Sequence, residues 1–375
     1  MKKTTIVRCA KLLCLLLCVL LLSGIAQDYC RYYDYNVIKL AGFYAEPENT
    51  LDVVFLGASD VFTGFSSGYA YGLYGFTSYP YAQDSSPVVL YRSQLREVLK
   101  HQDPKLIVIE INGALYDDPS TQTDGGALRR YLNNIPRSAN WAGTILELVP
   151  REEQYYYFYP LAKSHSNWKS MGENVRWVRD YHRIRREGSL LKGLVTTVAE
   201  PCDKEHRWDV SGDLSAAPLE PVSEQNLRDL LDFCRDQGLE NVLFVRFPHI
   251  LNSAESYERY RRGNEAERII REYGYPFLNL EREGAAVGLD FTRDFYNEDH
   301  VNISGQKKLT EYLGRVLTED YGITRTRLTP EQKQHWDRAA AYTLRFYDHC
   351  EEQLEAGQTG PLFETGELLD ILSKK

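Results

Sequence analysis

The segment Leu51-Asp52-Val53-Val54-Phe55-Leu56-Gly57-Ala58-Ser59-Asp60 limits what this chain can fold into more than any other stretch. A near-continuous apolar run of strand length, cut off by glycine, suits a parallel strand covered on both faces. Open parallel sheets carry their chemistry just past the carboxyl ends of the strands. Ser59 sits at that place. A serine there either turns or caps the chain, or serves as a nucleophile where a histidine can reach it.

The same pattern recurs along the chain. Strands are expected at 51–56, 105–111, 241–247 and 277–280, with helices near 68–74, 87–101, 224–237, 254–273 and 304–321. Strands alternating with helices imply an α/β protein with a parallel sheet and right-handed crossovers. A less periodic insertion, about 118–222, separates the two halves. It carries Gln154-Tyr155-Tyr156-Tyr157-Phe158-Tyr159-Pro160 and His165-Ser166-Asn167-Trp168-Lys169. Insertions on such scaffolds often roof the site, so these aromatics are read either as a lid for sugar rings or as packing onto the core. A C-terminal extension, 326–375, holds an amphipathic helix at 329–357.

The front of the chain differs. Lys2, Lys3, Arg8 and Lys11 precede an apolar run at 12–26, lightly interrupted by Ser23 and Gly24. This is the layout of a secretory signal, and Gly24-Ile25-Ala26 offers small residues for cleavage. Fifteen residues are short for a full span, and an uncleaved anchor is the alternative. A tyrosine-rich linker at 27–48 follows. Past the leader, Cys30, Cys202, Cys234 and Cys350 lack metal-ligand spacing. In an exported chain four cysteines allow two disulfides in three pairings, and Cys234 falls on the apolar face of a helix. The net charge of −9 argues against a nucleic-acid partner held by a general basic surface. No phosphate-binding glycine loop is present, so neither cofactor nor metal is expected.

A base for Ser59 is offered far down the chain, in Asp294-Phe295-Tyr296-Asn297-Glu298-Asp299-His300-Val301-Asn302-Ile303-Ser304-Gly305. This is an acid-rich loop with one histidine at the entrance to the last core helix. A serine hydrolase needs such a base, and a partner that fixes its tautomer. The chain order would be Ser, acid, His. A rival motif, Gly64-Phe65-Ser66-Ser67-Gly68, fits the nucleophile elbow of α/β-hydrolases. That elbow needs a strand directly before it. Here Ser66 and Ser67 are expected to cap the helix running to Tyr74.

From about Gly42 to Thr324 the sequence resembles the SGNH or GDSL hydrolases. The blocks that carry the resemblance are 49–65, 78–87, 105–112 and 294–305. It is most similar to the membrane-anchored bacterial branch related to hydrolases of teichoic-acid and exopolysaccharide modification. The resemblance implies a three-layer α/β/α, flavodoxin-like sandwich over 49–325, with Ser59 as nucleophile and His300 as base. It implies an oxyanion hole of the Ser59 N–H, the Ala82 N–H (where the family has glycine) and the Asn112 side chain. The family's triad Asp lies three residues before the His, where this chain has Asn297. Asp299 is the expected replacement; the alternatives are Asp294, Asn297 itself orienting the imidazole as a hydrogen-bond acceptor, a Ser-His dyad, or an impaired site. His165 and Trp168 match a His and Trp of the family and are substrate-contact candidates. His249, after the strand at 241–247, is read as a substrate contact, a second base or a solvent-facing loop residue. The implied function is an extracytoplasmic serine esterase or O-acyl transferase acting on acyl groups of cell-envelope glycans. The rival is a non-catalytic glycan-binding or scaffold protein on a degenerate fold of the same kind.

Overall fold

The computed structural model describes residues 3–30, 33–324 and 327–374. A five-stranded parallel sheet forms its centre, from β1 (Val53–Gly57), β2 (Ser78–Ala82), β3 (Leu106–Glu110), β5 (Val242–Arg246) and β6 (Phe277–Asn279). Their spatial order is β2-β1-β3-β5-β6. Two further strands, β4 (Val195–Val198) and β7 (Gly360–Phe363), pair antiparallel in a small separate sheet.

Alternation along β1 sends side chains into two cores. Val54 and Leu56 join one with Leu95 and Val98 of helix α5 (Tyr91–His101) and Leu227, Leu230 and Leu231 of α11 (Pro221–Asp236). The same core takes Ile269 and Ile270 of α12 (Ala254–Glu272). Val53 and Phe55 point the other way. They meet Val61 and Phe62 of α3 (Ser59–Gly64), Ala70 of α4 (Ser67–Tyr74) and Leu309 and Leu313 of α14 (Ile303–Glu319). Helices therefore cover both faces, giving a three-layer α/β/α sandwich, as an apolar run without alternation demands. The sheet reverses its strand order between β1 and β3, the crevice where such folds bind ligands.

Several elements depart from the expectation. The strand β2 was not expected, because Ser78-Tyr79-Pro80-Tyr81-Ala82 has a proline and no aliphatic run. It lies at the sheet edge, where a missing N–H is tolerated. The supposed linker holds α2 (Tyr35–Phe43), with residues 36–43 all buried and Asp34 capping its start through Asn36 and Val37 N–H. The insertion folds as helices α6 (Gly125–Leu132), α7 (Ala139–Leu148), α8 (Arg151–Phe158), α9 (Leu161–Ser164) and α10 (Met171–Glu187), followed by β4. The tail helix, α15 (Pro330–Glu355), begins with a capping box between Thr329 and Gln332 and packs on α4. Gly68 allows that approach, since a Cβ there would lie 2.3 Å from Thr343 Oγ1. The first helix, α1 (Lys3–Cys30), contains a 26-residue stretch, Thr5–Cys30, long and apolar enough to cross a membrane. Cys30, Cys202, Cys234 and Cys350 are free thiols, and burial pushes the Cys234 thiol up to about 12, consistent with its place on an apolar helix face.

Candidate active site

Gly57 ends β1 at a φ of +150°, a backbone state that favours glycine. A Cβ there would also sit 2.7 Å from Glu110 Cβ, so the chain can turn under β3 only as glycine. The turn delivers Ser59 to the first position of α3, where backbone N–H groups have no intrahelical acceptor.

His300 comes from the loop before α14 and places Nε2 2.7 Å from Ser59 Oγ. Its Nδ1 lies 3.0 Å from Asn297 Oδ1. The same oxygen accepts the backbone N–H of Asp299 at 3.0 Å and of His300 at 2.8 Å. Backbone N–H groups only donate, so the Asn297 atom facing them is the oxygen, and His300 Nδ1 must carry the proton. Nε2 is then left as an acceptor for the Ser59 hydroxyl, which is the tautomer a general base requires. Tyr296 stacks on the His300 ring, with centroids 5.5 Å apart and planes within 7°. Burial lowers the His300 pKa from its usual value, against the charges of Asp60 and Asp299. The imidazole is thus neutral and ready to accept a proton.

Asp299 is not the partner of His300. Its carboxylate pairs with Arg259 of α12, and despite burial that guanidinium holds its pKa below the usual range. The place beside His300 Nδ1 is taken instead by Asn297, three residues before the histidine. Asp294 is used elsewhere too. It accepts from Ser304 Oγ at 2.7 Å, Asp290 N at 2.7 Å and Lys308 Nζ at 2.6 Å, bracing the loop onto α14.

Behind Ser59 lies a buried charged cluster that the sequence did not announce. His249 is fully buried rather than solvent-facing, with Nδ1 2.8 Å from Glu281 Oε1 and Nε2 3.3 Å from Asp60 Oδ1. Arg246 closes the far side of Glu281 at 2.7 Å. Burial alone would strip the His249 proton, but the two carboxylates outweigh it and raise its pKa to about 9. It is therefore an imidazolium at neutral pH and is neither a second base nor a substrate contact. Burial would raise Asp60 and Glu281, yet His249, with Arg246 beside Glu281, holds both at about 2. Glu110, under the Gly57 turn, is pushed by burial and by Asp60 up to about 8. Its carboxyl accepts from the backbone N–H groups of Ala58 and Asn112.

The proposed oxyanion donors are placed unequally. Ala82 ends β2 directly opposite Gly57 in the ladder, beside the turn that carries Ser59. Asn112 donates one Nδ2 hydrogen to Asp60 Oδ2 at 2.9 Å, which leaves its second hydrogen for another acceptor. His165 and Trp168 lie away from Ser59, in a 3₁₀ turn at His165–Ser170 that packs on α1. Neither lines the Ser59 cavity, and neither do Tyr155 to Tyr159. The lid reading of these aromatics is therefore corrected: the insertion roofs the site with other residues.

That cavity, about 290 Å³, is bounded by Tyr35 and Phe62, by Asp84 and Arg130, and by Thr196 and Thr197 over Ser59 and His300. Tyr35 OH donates to Asp84 Oδ2 at 2.5 Å. Arg130, on α6, keeps a buried Nε with no hydrogen-bond partner. Ser66, the rival nucleophile, caps α4 by accepting from Tyr69 N at 3.4 Å and is fully buried. Among the described residues no group of three or more His, Cys, Asp or Glu is arranged to hold a metal ion.

No family model matches the sequence, and no curated protein matches it. A solved structure, of a protein described as a GDSL-like lipase from Parabacteroides merdae, is similar over 75% of this chain and 99% of its own. The two share 13% identity at a TM-score of 0.32, too slight a likeness to bear on the site.

Proposed function

We propose that the chain is a serine esterase or O-acyl transferase that works through an acyl-enzyme. The observation that carries this reading is the Ser59–His300–Asn297 relay, with Oγ to Nε2 at 2.7 Å and Nδ1 to Oδ1 at 3.0 Å. Ser59 Oγ attacks the acyl carbonyl as His300 Nε2 takes its proton. The oxyanion is held by the Ser59 and Ala82 N–H groups and by the remaining Asn112 hydrogen. The proton on His300 then passes to the leaving alcohol. Water or a second hydroxyl attacks the acyl-enzyme, His300 acting again as base, and Ser59 is restored.

A cavity walled by Asp84, Arg130, Thr196 and Thr197 suits a hydroxyl-rich substrate more than a long alkyl chain. Together with the basic, then apolar, N-terminus, this supports acylated glycans of the cell envelope as substrates and an extracytoplasmic site. Such a substrate needs neither cofactor nor nucleic acid. The rival reading, a binding or scaffold protein without catalysis, rests on Asn297 in place of a carboxylate.

Labelling with a fluorophosphonate probe and mapping of the labelled peptide decides between them. Ser59 should be the labelled residue, and Ser59→Ala should abolish labelling and aryl-acetate hydrolysis. Ser66→Ala should leave both and cost only a helix cap, about 1 kcal/mol of stability. An unlabelled wild-type protein with no esterase activity would establish the binding reading instead.

A further inference from the structure

Outside α1, thirteen large apolar side chains are exposed among the described residues, and eight of them fall within residues 146–175. The elements that carry them adjoin, α8 against α9, α9 against the 3₁₀ turn at His165–Ser170 and that turn against α10, and soluble surfaces rarely gather so many exposed rings in one region without a partner. Tyr155, Tyr156, Phe158 and Tyr159 come from the end of α8, Trp168 from the 3₁₀ turn and Met171 from the start of α10. Trp168 alone is 60% exposed.

What covers this patch is indicated by what it adjoins. Helix α9, the 3₁₀ turn and α10 all pack against α1. The last residues of α1 are tied to the same region. Asn174 Nδ2 donates to Tyr29 O at 2.7 Å, and Asn167 Nδ2 donates to Cys30 O at 3.0 Å. Arg137 Nη2 donates to Gln27 Oε1 at 2.8 Å. Toward its start α1 has no protein around it, and Leu12, Leu16 and Leu20 are each more than half exposed. At 1.5 Å per residue the 26-residue stretch is about 39 Å long, enough to cross a hydrocarbon core of about 30 Å. Tyrosine and tryptophan are the side chains that concentrate where a membrane meets water, with an apolar ring on one side and a polar edge on the other. Lys163, 5.5 Å from the Tyr156 ring centroid, and exposed Lys169 supply cations at the level of lipid phosphates.

We propose that residues 146–175 form a platform that seats in the lipid headgroup layer where α1 leaves the bilayer. The inference rests on α1 being a retained anchor, not on the chemistry proposed for Ser59. The unbroken run of α1 through Ala26 into the segment held by Arg137, Asn167 and Asn174 argues for that retention, since it leaves no extended stretch there for cleavage. The platform fixes the orientation of the catalytic domain, so that the Ser59 cavity opens at a set height above the membrane.

Full-length protein reconstituted into phosphatidylcholine vesicles tests this, with bromine-labelled acyl chains as the quencher of tryptophan fluorescence. Quenching is expected, and Trp168→Phe should remove most of it, whereas Trp208→Phe should leave it unchanged. If the protein resists alkaline carbonate extraction but Trp168 is unquenched, the anchor stands and the platform is overturned. Cross-linking that shows the patch covered by a second copy of the chain would overturn the platform as well. If the protein is recovered free of membranes with its N-terminus at Gln27, the anchor reading fails and the platform with it. Loss of esterase activity would touch neither outcome.

Discussion

Asn297 sets the chemistry at the scale of single residues. Its oxygen accepts two backbone N–H groups as well as His300 Nδ1–H, so it fixes the tautomer and orientation of the imidazole. It brings no charge to offset the imidazolium that the proposed mechanism would form, and loss of that charge costs about 10⁴ in kcat in serine proteases. Asp60 and Asp299 act on His300 only from a distance, and burial still wins, keeping its pKa below 6.5. The acid limb of kcat/KM should therefore lie below the ordinary imidazole range. Asn297→Asp should raise the His300 pKa by about one unit or more, moving that limb upward, and should raise kcat by about tenfold or more once His300 is neutral. An unchanged pH profile would mean that His300 is not the base. Asp299→Asn should slow turnover by less than about tenfold, because its main partner is Arg259. A loss of several orders of magnitude would return Asp299 to the relay.

At the scale of elements, the junction between β1 and α3 is held by the absence of a side chain. Gly57→Ala would force a β-carbon to within 2.7 Å of Glu110 Cβ at a φ that alanine rarely adopts. The expected cost is about 2 kcal/mol or more, read as a lower denaturation midpoint. Turnover should fall further than stability explains, since the strain is relieved by moving Ser59. The junction of α4 with α15 depends on Gly68 in the same steric way, which ties the tail to the first half of the sheet.

Across the whole molecule, the buried charges make stability depend on pH. His249 is raised from 6.5 to about 9, so its contribution is complete below pH 6.5 and lost as pH climbs through 9. Glu110, raised from 4.5 to about 8, behaves likewise, its contribution falling between those values. Asp60 and Glu281, lowered to about 2, contribute above their ordinary values of 3.8 and 4.5 and fail only as pH drops through 2. Thermal unfolding between pH 6 and pH 9 should thus show a declining Tm, steepest between pH 6.5 and pH 8, where the windows of His249 and Glu110 overlap. His249→Gln should lower Tm near pH 6 and flatten the slope above it. A Tm independent of pH across that range would mean that the cluster is not charged as described.

Local pattern was enough to read the sandwich and to single out Ser59 and His300, which the structure brings to 2.7 Å of each other. An apolar run ended by Gly57 can be little other than a buried strand, and the periodic segments at 224–237, 254–273 and 304–321 can be little other than its covering helices. Ser59 and His300 were legible because each sits in a local setting that constrains its position, a strand end and a helix entrance. What surrounds them depends on contacts between distant segments. Asp60, Glu110, His249 and Glu281 are separated by up to hundreds of residues, and nothing local marks a carboxylate as buried until its partner arrives. The cavity wall takes Tyr35 from a segment read as linker, Arg130 from the insertion and Pro361 from the tail. Strand β2 escaped notice because Pro80 is tolerated only at a sheet edge, and edge position is a property of the sheet. The aromatic run at 155–159 and Trp168 could be seen in the sequence, but their exposure beside α1 and their absence from the Ser59 cavity could not. Composition limits what a side chain can touch, and the path of the chain selects what it does touch.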